Sequence, residues 1–470
     1  METVVPTPPV DLPQTVGELR AGGHQHRTVK EELRDNLIAR LRDGVARFPG
    51  VVGYDDTVVP ELERALLAGH DLVLLGERGQ GKSRVMRALV GLLDEWTPVI
   101  AGSDLNEHPY APLTPSSRRD AARAGDDLRI GWLHRSMRYS EKLATPDTSV
   151  GDLVGDVDPV RIAQGRTLGD PETIHFGLIP RTNRGIFAIN ELPDLAERIQ
   201  VSLLNVLEER DIQIRGYQLR LPLDLLLVAS ANPEDYTNRG RIITPLKDRF
   251  GAEIRTHYPL DLDLELALIH QEARLVAAVP DHVLEIIARF TRAVRESPSV
   301  DARSGVSARF AIAGAETVSA SALRRASLLG EAAPVARVGD TVSVTSTLRG
   351  KVEFESGEEG REVEVLAHLL RTATAETFHA RLAGLDLSGF TNLVAEGETV
   401  ETGELVGADE VLRQVGTVPG LAKVLERLGL GDAPTRGEAA AGVEFVLEGL
   451  HLTRRLSKDL TDDGRTVYGS

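Results

Sequence analysis

Eight residues constrain this chain more than any others. Gly76-Glu77-Arg78-Gly79-Gln80-Gly81-Lys82-Ser83 fits the pattern G-x-x-x-x-G-K-[ST]. The glycines let the backbone curl until successive N–H groups point inward at phosphate oxygens. Lys82 can reach the β- and γ-phosphates of a nucleotide, and the Ser83 hydroxyl suits a magnesium ligand. Such a loop needs a strand before it and a helix after it. The apolar run Asp71-Leu-Val-Leu-Leu75 precedes it, and Arg84-Val-Met-Arg-Ala-Leu-Val90 follows with a helical pattern. The helix N-terminus adds partial positive charge where phosphate would lie. A chance glycine-rich turn would not bring both flanks. ATP and Mg2+ are the expected cofactors.

A loop of this kind needs a second strand that ends in acidic residues, to manage magnesium and water. Gly185-Ile-Phe-Ala-Ile189, followed by Asn190 and Glu191, is the only good candidate. Glu191 would polarise the attacking water. Position 190 usually carries Asp, which holds the magnesium shell. Asn190 has no charge but can still hydrogen-bond metal-bound water, so position 190 leaves the rate of hydrolysis open. A third buried run, Leu225–Ala231, ends in Asn232, which can orient water between Glu191 and the γ-phosphate or simply open an Asn-Pro turn. Pro245-Leu-Lys-Asp-Arg249-Phe250 then places a cation that can act as an arginine finger on a neighbour, or make a surface ion pair. Arg309, in Gly305-Val-Ser-Ala-Arg309-Phe310, is a candidate nucleotide sensor on a helical lid.

The expected fold class is α/β. Asp71–Leu75, Gly185–Ile189 and Leu225–Ala229 are mostly continuous apolar runs, as in strands covered on both faces. A helix is expected over 28–48, with Leu33, Leu37, Leu41 and Val45 on one face. Another is expected over 281–295, continuing as alanine-rich helix to Leu329. Thr341–Ser343 and Lys351–Phe354 suggest short strands, and residues 361–470 look mostly helical. The Pro-rich start, 1–13, suggests disorder. It has neither a basic residue nor a long apolar run, and no stretch reaches the roughly 20 apolar residues of a membrane helix. The expected location is the cytoplasm, without membrane insertion. With no cysteine, the chain has no thiolate metal site and no Cys nucleophile. Basic residues number 54 and acidic residues 71, a net charge of -17 that repels nucleic acid on average. The arginines Arg118, Arg119, Arg123, Arg129, Arg135 and Arg138 form the best local basic patch, or a solvated insertion.

Order and spacing bring a family into view. Ala144-Thr-Pro-Asp-Thr-Ser-Val-Gly-Asp-Leu-Val-Gly155, Phe176-Gly-Leu-Ile-Pro-Arg-Thr-Asn-Arg-Gly185, Ala231-Asn-Pro-Glu234 and Pro245-Leu-Lys-Asp-Arg-Phe250 together resemble the magnesium chelatase I-subunit and MoxR group of AAA+ ATPases. The resemblance covers about Phe48 to Arg325. It implies an N-terminal tail and helix over 1–50, an AAA+ P-loop domain with a parallel sheet between helices over 51–258, and an α-helical lid over 259–360. The mostly helical region 361–470 lies outside it. Val51, Val52 and Gly53 would line the adenine pocket, with Glu191 catalytic, Asn232 as first sensor, Arg249 as finger and Arg309 as second sensor. Residues 148–178 would be an insertion, and Ile212–Leu221 a hairpin facing a ring pore or partner. The family commonly works as hexameric rings with a partner carrying a von Willebrand A domain.

Four functions follow. One is an ATP-driven remodeller of a protein, in the manner of MoxR proteins. A second is the motor subunit of a metal (magnesium) chelatase, which shares the motor parts. A third, a transcriptional activator or DNA-acting motor, lacks the G-A-F-T-G-A loop of enhancer-binding activators and a recognisable DNA-binding helix pair. The fourth is a nucleotide-dependent binding module with slow turnover, which Asn190 makes possible.

Overall fold

The computed structural model describes residues 6–157, 174–208, 212–214, 217–219, 221–233, 241–301, 305–395, 398–431, 433–461 and 464–469. The chain divides into two compact units, Met1–His257 and Tyr258–Ser470.

The first unit is built on a parallel five-stranded sheet. In chain order its helices and strands include α1 (Val29–Asp43), α2 (Val58–Leu67), β1 (Leu72–Leu75), α3 (Lys82–Ala88), β2 (Trp96–Ile100), α4 (Pro115–Ala124), β3 (Ile130–His134) and β4 (Tyr139–Leu143). There follow β5 (Gly155–Val157), β6 (Ile174–Phe176), β7 (Gly185–Asn190), α5 (Glu197–Glu208), β8 (Ile212–Ile214), β9 (Tyr217–Leu219), β10 (Leu225–Ala231), α6 (Thr244–Arg249) and β11 (Ala252–Arg255). The sheet order is β11-β1-β10-β7-β4. The three apolar runs become its three central strands, and each is buried along nearly its whole length. Alternate residues serve opposite faces. Leu72, Leu74, Ile186, Ala188, Leu226 and Val228 pack with Leu33, Leu37, Val58, Leu62, Val85 and Met86. Val73, Phe187, Ile189, Leu227 and Ala229 pack with Ile199, Leu203 and Val206. Three antiparallel pairs, β2–β3, β5–β6 and β8–β9, complete the unit. Within the expected insertion 148–178, residues 158–173 lie outside the described ones; so do 215–216 and 220 of the hairpin Ile212–Leu221, which is formed by β8 and β9.

Two expectations change here. The helix of 28–48 ends at Asp43, where Gly44 takes a left-handed conformation (φ 65°), so Val45 falls beyond it and is exposed; Leu41, in the last turn, is exposed as well. The arginine patch is also broken up. Arg138 is 1% exposed and makes a fork-to-fork pair with Glu32, at 2.7 and 2.6 Å, while its Nε donates to the Arg184 carbonyl. Arg123 pairs with Asp120, and Arg118 bonds the Pro112 carbonyl.

The second unit is helical around one apolar core. It contains α7 (Leu262–Glu272), α8 (Asp281–Glu296), α9 (Ala308–Leu329), α10 (Ser343–Leu348), α11 (Glu362–Leu382), α12 (Ser388–Ala395), β12 (Val400–Thr402), α13 (Ala408–Val415), α14 (Leu421–Arg427), α15 (Arg436–Leu452), β13 (Ser457–Leu460) and β14 (Thr466–Gly469). Phe290, Phe310, Phe390 and Phe445 lie in its centre. The short strands expected at Thr341–Ser343 and Lys351–Phe354 are not formed. Val338–Val342 is a 3-10 turn running into α10, and the Asp340 carboxylate accepts the Arg337 N–H at 2.8 Å to cap it. Arg349–Lys351 is another such turn, and Phe354 makes a single bridge to Val300. The far end carries a three-stranded antiparallel sheet, β12-β14-β13, among its helices. No helix among the described residues is long and apolar enough to cross a membrane.

Glu32 is the sole carboxylate bonded to the buried Arg138 guanidinium among the described residues, and removing it strands a desolvated cation. Glu32→Ala is expected to lower the unfolding free energy by about 3–5 kcal/mol, read from urea denaturation. A loss under about 1 kcal/mol would show that the pair is dispensable.

Candidate active site

The phosphate loop joins β1 to α3. Gly79 and Gly81 take positive φ, 76° and 74°, at the positions where the chain must curl. Gly76 is required for space instead. A Cβ there would fall 1.9 Å from Thr256 Oγ1 and 2.2 Å from Gln80 Oε1. Gln80 is buried in the loop, and its Oε1 accepts from the Glu77 N–H (3.0 Å) and Thr256 Oγ1 (2.9 Å). The Tyr54 hydroxyl lies on the Gln80 and His257 carbonyls, and burial pushes its pKa up to about 12. Tyr54, Gln80 and Thr256 thus brace the loop through side chains. Tyr54 and Thr256 were missed in the sequence because neither belongs to the motif. Val52 is half-buried, two residues before Tyr54. Lys82 Nζ donates to the carbonyls of Gly76 and Glu77, the latter at 2.7 Å.

The sheet brings the second strand to the loop. Ser83 Oγ donates to Asn190 Oδ1 at 3.1 Å, and Ser230 Oγ donates to the same oxygen at 3.1 Å. The other end of the amide, Nδ2, donates to Glu141 Oε1. Glu141 also receives Arg87 Nε (2.8 Å), Arg87 Nη2 (3.0 Å) and the Tyr139 hydroxyl (3.0 Å). Burial works to raise the Glu141 pKa, but the donors from Arg87, Tyr139 and Asn190 outweigh it and hold the carboxyl below its ordinary value. Arg87 is held above its ordinary value by that same pairing. The Ser83 and Asn190 oxygens, 3.1 Å apart, suit a hard cation that keeps most of its waters, so these residues fit Mg2+.

Glu191 follows Asn190 in a left-handed conformation, φ 55° and ψ 48°, rare for a residue with a side chain. Its N–H donates to Ser230 Oγ at 3.2 Å. The strand therefore stops at Asn190, and a tight turn, Leu192–Asp194, follows Glu191. On β10, the Ala231 carbonyl accepts the Gly76 N–H at 3.1 Å, so the buried Asn232 leaves the sheet beside the first glycine of the loop. Arg249, at the end of α6, pairs with Glu208 at 3.0 Å and with Asp248 at 3.5 Å. Arg309 is exposed near the start of α9 and belongs to the second unit. The structure thus gathers Lys82, Ser83, Asn190, Glu191 and Asn232 at the carboxyl ends of the three central strands. It does not bond Arg249 to any of them: among the described residues its guanidinium is taken up by Glu208, Asp248 and the Pro245 carbonyl.

A parallel sheet in this order, with a phosphate loop after its first strand and a polar pair ending β7, is the P-loop fold of the AAA+ class. Comparison with known proteins narrows the class. A sigma-54 interaction domain model matches residues 167–249, the stretch that holds β7 and β10. The magnesium-chelatase subunit ChlI of Nicotiana tabacum is 28% identical over 252 residues, covering 52% of this chain and 55% of that protein. ChlI of Nostoc sp. is 28% identical over 244 residues, 50% of this chain and 60% of that one. The chain thus spans little more than half the length of these curated relatives. Among solved structures, the complex between subunits BchI and BchD of magnesium chelatase matches at 23% identity and TM-score 0.36, over 68% of this chain and 98% of that one. A RuvB variant of Thermotoga maritima matches at 13% identity and TM-score 0.39, over 89% and 94%. At such scores the fold assignment stands on the strand order. Over about half its length the chain is similar to the magnesium-chelatase I subunits.

Two substitutions test the loop. Gly76→Ala forces a methyl onto Thr256 and Gln80, and Lys82→Ala removes the loop's ammonium group. Each is expected to weaken ATP binding by calorimetry at least about tenfold, the scale of one charge-assisted hydrogen bond. Affinity within about twofold of the parent in both would remove this loop as the phosphate site.

Proposed function

We propose that this chain is a ring-forming AAA+ ATPase that binds and hydrolyses ATP, with Mg2+, to remodel a protein partner. The observation that carries the reading is the joining of the phosphate loop to Asn190 and Glu191 by the Ser83–Asn190 bond. Lys82 exchanges the loop's own carbonyls for phosphate oxygens. Ser83, with Asn190 behind it, would hold the magnesium ion, which when bound neutralises developing charge on the phosphates. Glu191 takes a proton from the attacking water, and Asn232 orients that water. Arg249 breaks its pair with Glu208 to reach the γ-phosphate of a neighbouring subunit, and Arg309 senses nucleotide from the helical lid.

The second reading is the motor subunit of a metal chelatase. It is favoured by the curated relatives, which are themselves magnesium-chelatase subunits. The motor chemistry is the same in both, and the partner decides between them. A von Willebrand A domain protein is the expected partner of the remodeller, and further chelatase subunits are expected for the motor. Capture with ATP and a Glu191→Gln trap distinguishes the two. A third reading, a binding module with slow turnover, rests on the uncharged Asn190, and a phosphate-release assay settles it.

Glu191→Gln is expected to keep ATP affinity but to slow phosphate release by on the order of 10²–10⁴, since Gln takes no proton from water. Turnover at the parent rate would misassign β7. Arg249→Ala is expected to bind ATP and fail to hydrolyse it. Mixed with Lys82→Ala protein it should regain activity, because one kind of subunit boundary pairs an intact loop with an intact finger. Specific activity that stays flat on dilution, with no rescue on mixing, would defeat the ring.

A further inference from the structure

We propose that Glu141, on the neighbouring strand β4, supplies the negative charge that Asn190 lacks and fixes which end of the Asn190 amide faces the magnesium site. This rests on the ATPase reading above. An ionised carboxylate only accepts hydrogen bonds, so the amide must turn its NH2 end to Glu141. Oδ1 is then left facing the two hydroxyl donors, Ser83 and Ser230. An oxygen on Ser83 is what a metal shell requires; the opposite rotamer would present two N–H groups to a cation. Arg87 grips Glu141 through two bonds from α3, the helix that begins with Lys82 and Ser83. The carboxylate is therefore tied both to the loop's helix and to the strand that ends in Asn190.

Charge acts through the amide as well as orientation. A carboxylate on Nδ2 polarises the amide and makes Oδ1 a stronger acceptor, as chains of hydrogen bonds do in a poorly solvated site. Glu141 is thus a positioning residue that acts through Asn190. A site with Asp at 190 needs no such partner. With Glu141 already in contact, Asp at 190 would set two carboxylates within hydrogen-bond distance, and like charges so placed do not both ionise easily. Glu141 and Asn190 form one unit, in which the charge sits a strand away from its usual place.

The test uses the full chain and a non-hydrolysable ATP analogue, with affinity measured by calorimetry in magnesium and in EDTA. The readout is the ratio of the two affinities. Glu141→Ala is expected to lower that ratio about tenfold, the scale of a charge-assisted bond. Glu141→Gln keeps an acceptor without the charge and should lower it about threefold, since neutral bonds are roughly half as strong. Asn190→Asp alone should bring no gain. The double variant Asn190→Asp with Glu141→Gln returns one carboxylate to the pair and should restore the ratio to about the parent's value, clear of the roughly threefold loss that simple additivity predicts. Thermal unfolding reports whether each variant is folded, and Glu141→Gln serves if Glu141→Ala is not. A ratio unchanged in both Glu141 variants, or effects that simply add in the double variant, would overturn the proposal while leaving the ATPase reading intact. A parent chain that binds no analogue in either condition would overturn both.

Discussion

A one-residue slip of β7 against its neighbours would turn Asn190 away from Ser83, Ser230 and Glu141 together, because successive side chains of a strand point to opposite faces. The site depends on that register. On one side β10 pairs Val228 with Ala188 and Ala229 with Ile189, which sets Ser230 beside the end of β7. On the other, β4 pairs Glu141 with Ala188, two residues before Asn190 on the same face. The register is secured by burial. Ile186 and Ala188 share one core with Leu226 and Val228, while Phe187 and Ile189 share the opposite one. A slip would exchange the two sets and leave both cores mismatched.

The same sheet explains what was readable in the linear chain. β1, β7 and β10 are covered on both faces, so they appear as continuous apolar runs, and the phosphate loop follows one of them with fixed spacing. Asn190, Glu191 and Asn232 could be placed because each ends such a run. β4 could not. Its residues Tyr139-Ser-Glu-Lys-Leu143 lie at the sheet edge, are mostly half-buried and include three polar residues in succession, so no apolar run or alternation marks them. The importance of Glu141 comes from a contact 49 residues away, which no local pattern encodes. Tyr54 and Thr256 were hidden for the same reason, since they meet the loop only after β11 has paired with β1.

In the second unit the misreadings have a different cause. Thr341 and Val342 are good strand formers on composition, but short-range polar bonds take precedence. Asp340 caps the turn through the Arg337 N–H, and Ser343 Oγ donates back to the Asp340 carbonyl at 2.7 Å. Conversely, β12, β13 and β14 are three or four residues long. Val400 pairs with Tyr468 across most of the C-terminal region. Strands so short carry too few alternations to stand out from loops, and their partner lies far along the chain.

The adjacency of positions 141 and 190 across β4 and β7 also bears on how such a site changes over evolutionary time. One negative charge shared by two positions can migrate between them, but only if both positions change in near succession. A lineage passing through two acids meets repulsion, and one passing through none loses the metal's counter-charge. Across descendants of a common ancestor the two positions would then drift as a linked pair, acid on one strand and amide on the other. An Asn where an acid is customary is, on that view, a record of where the acid went.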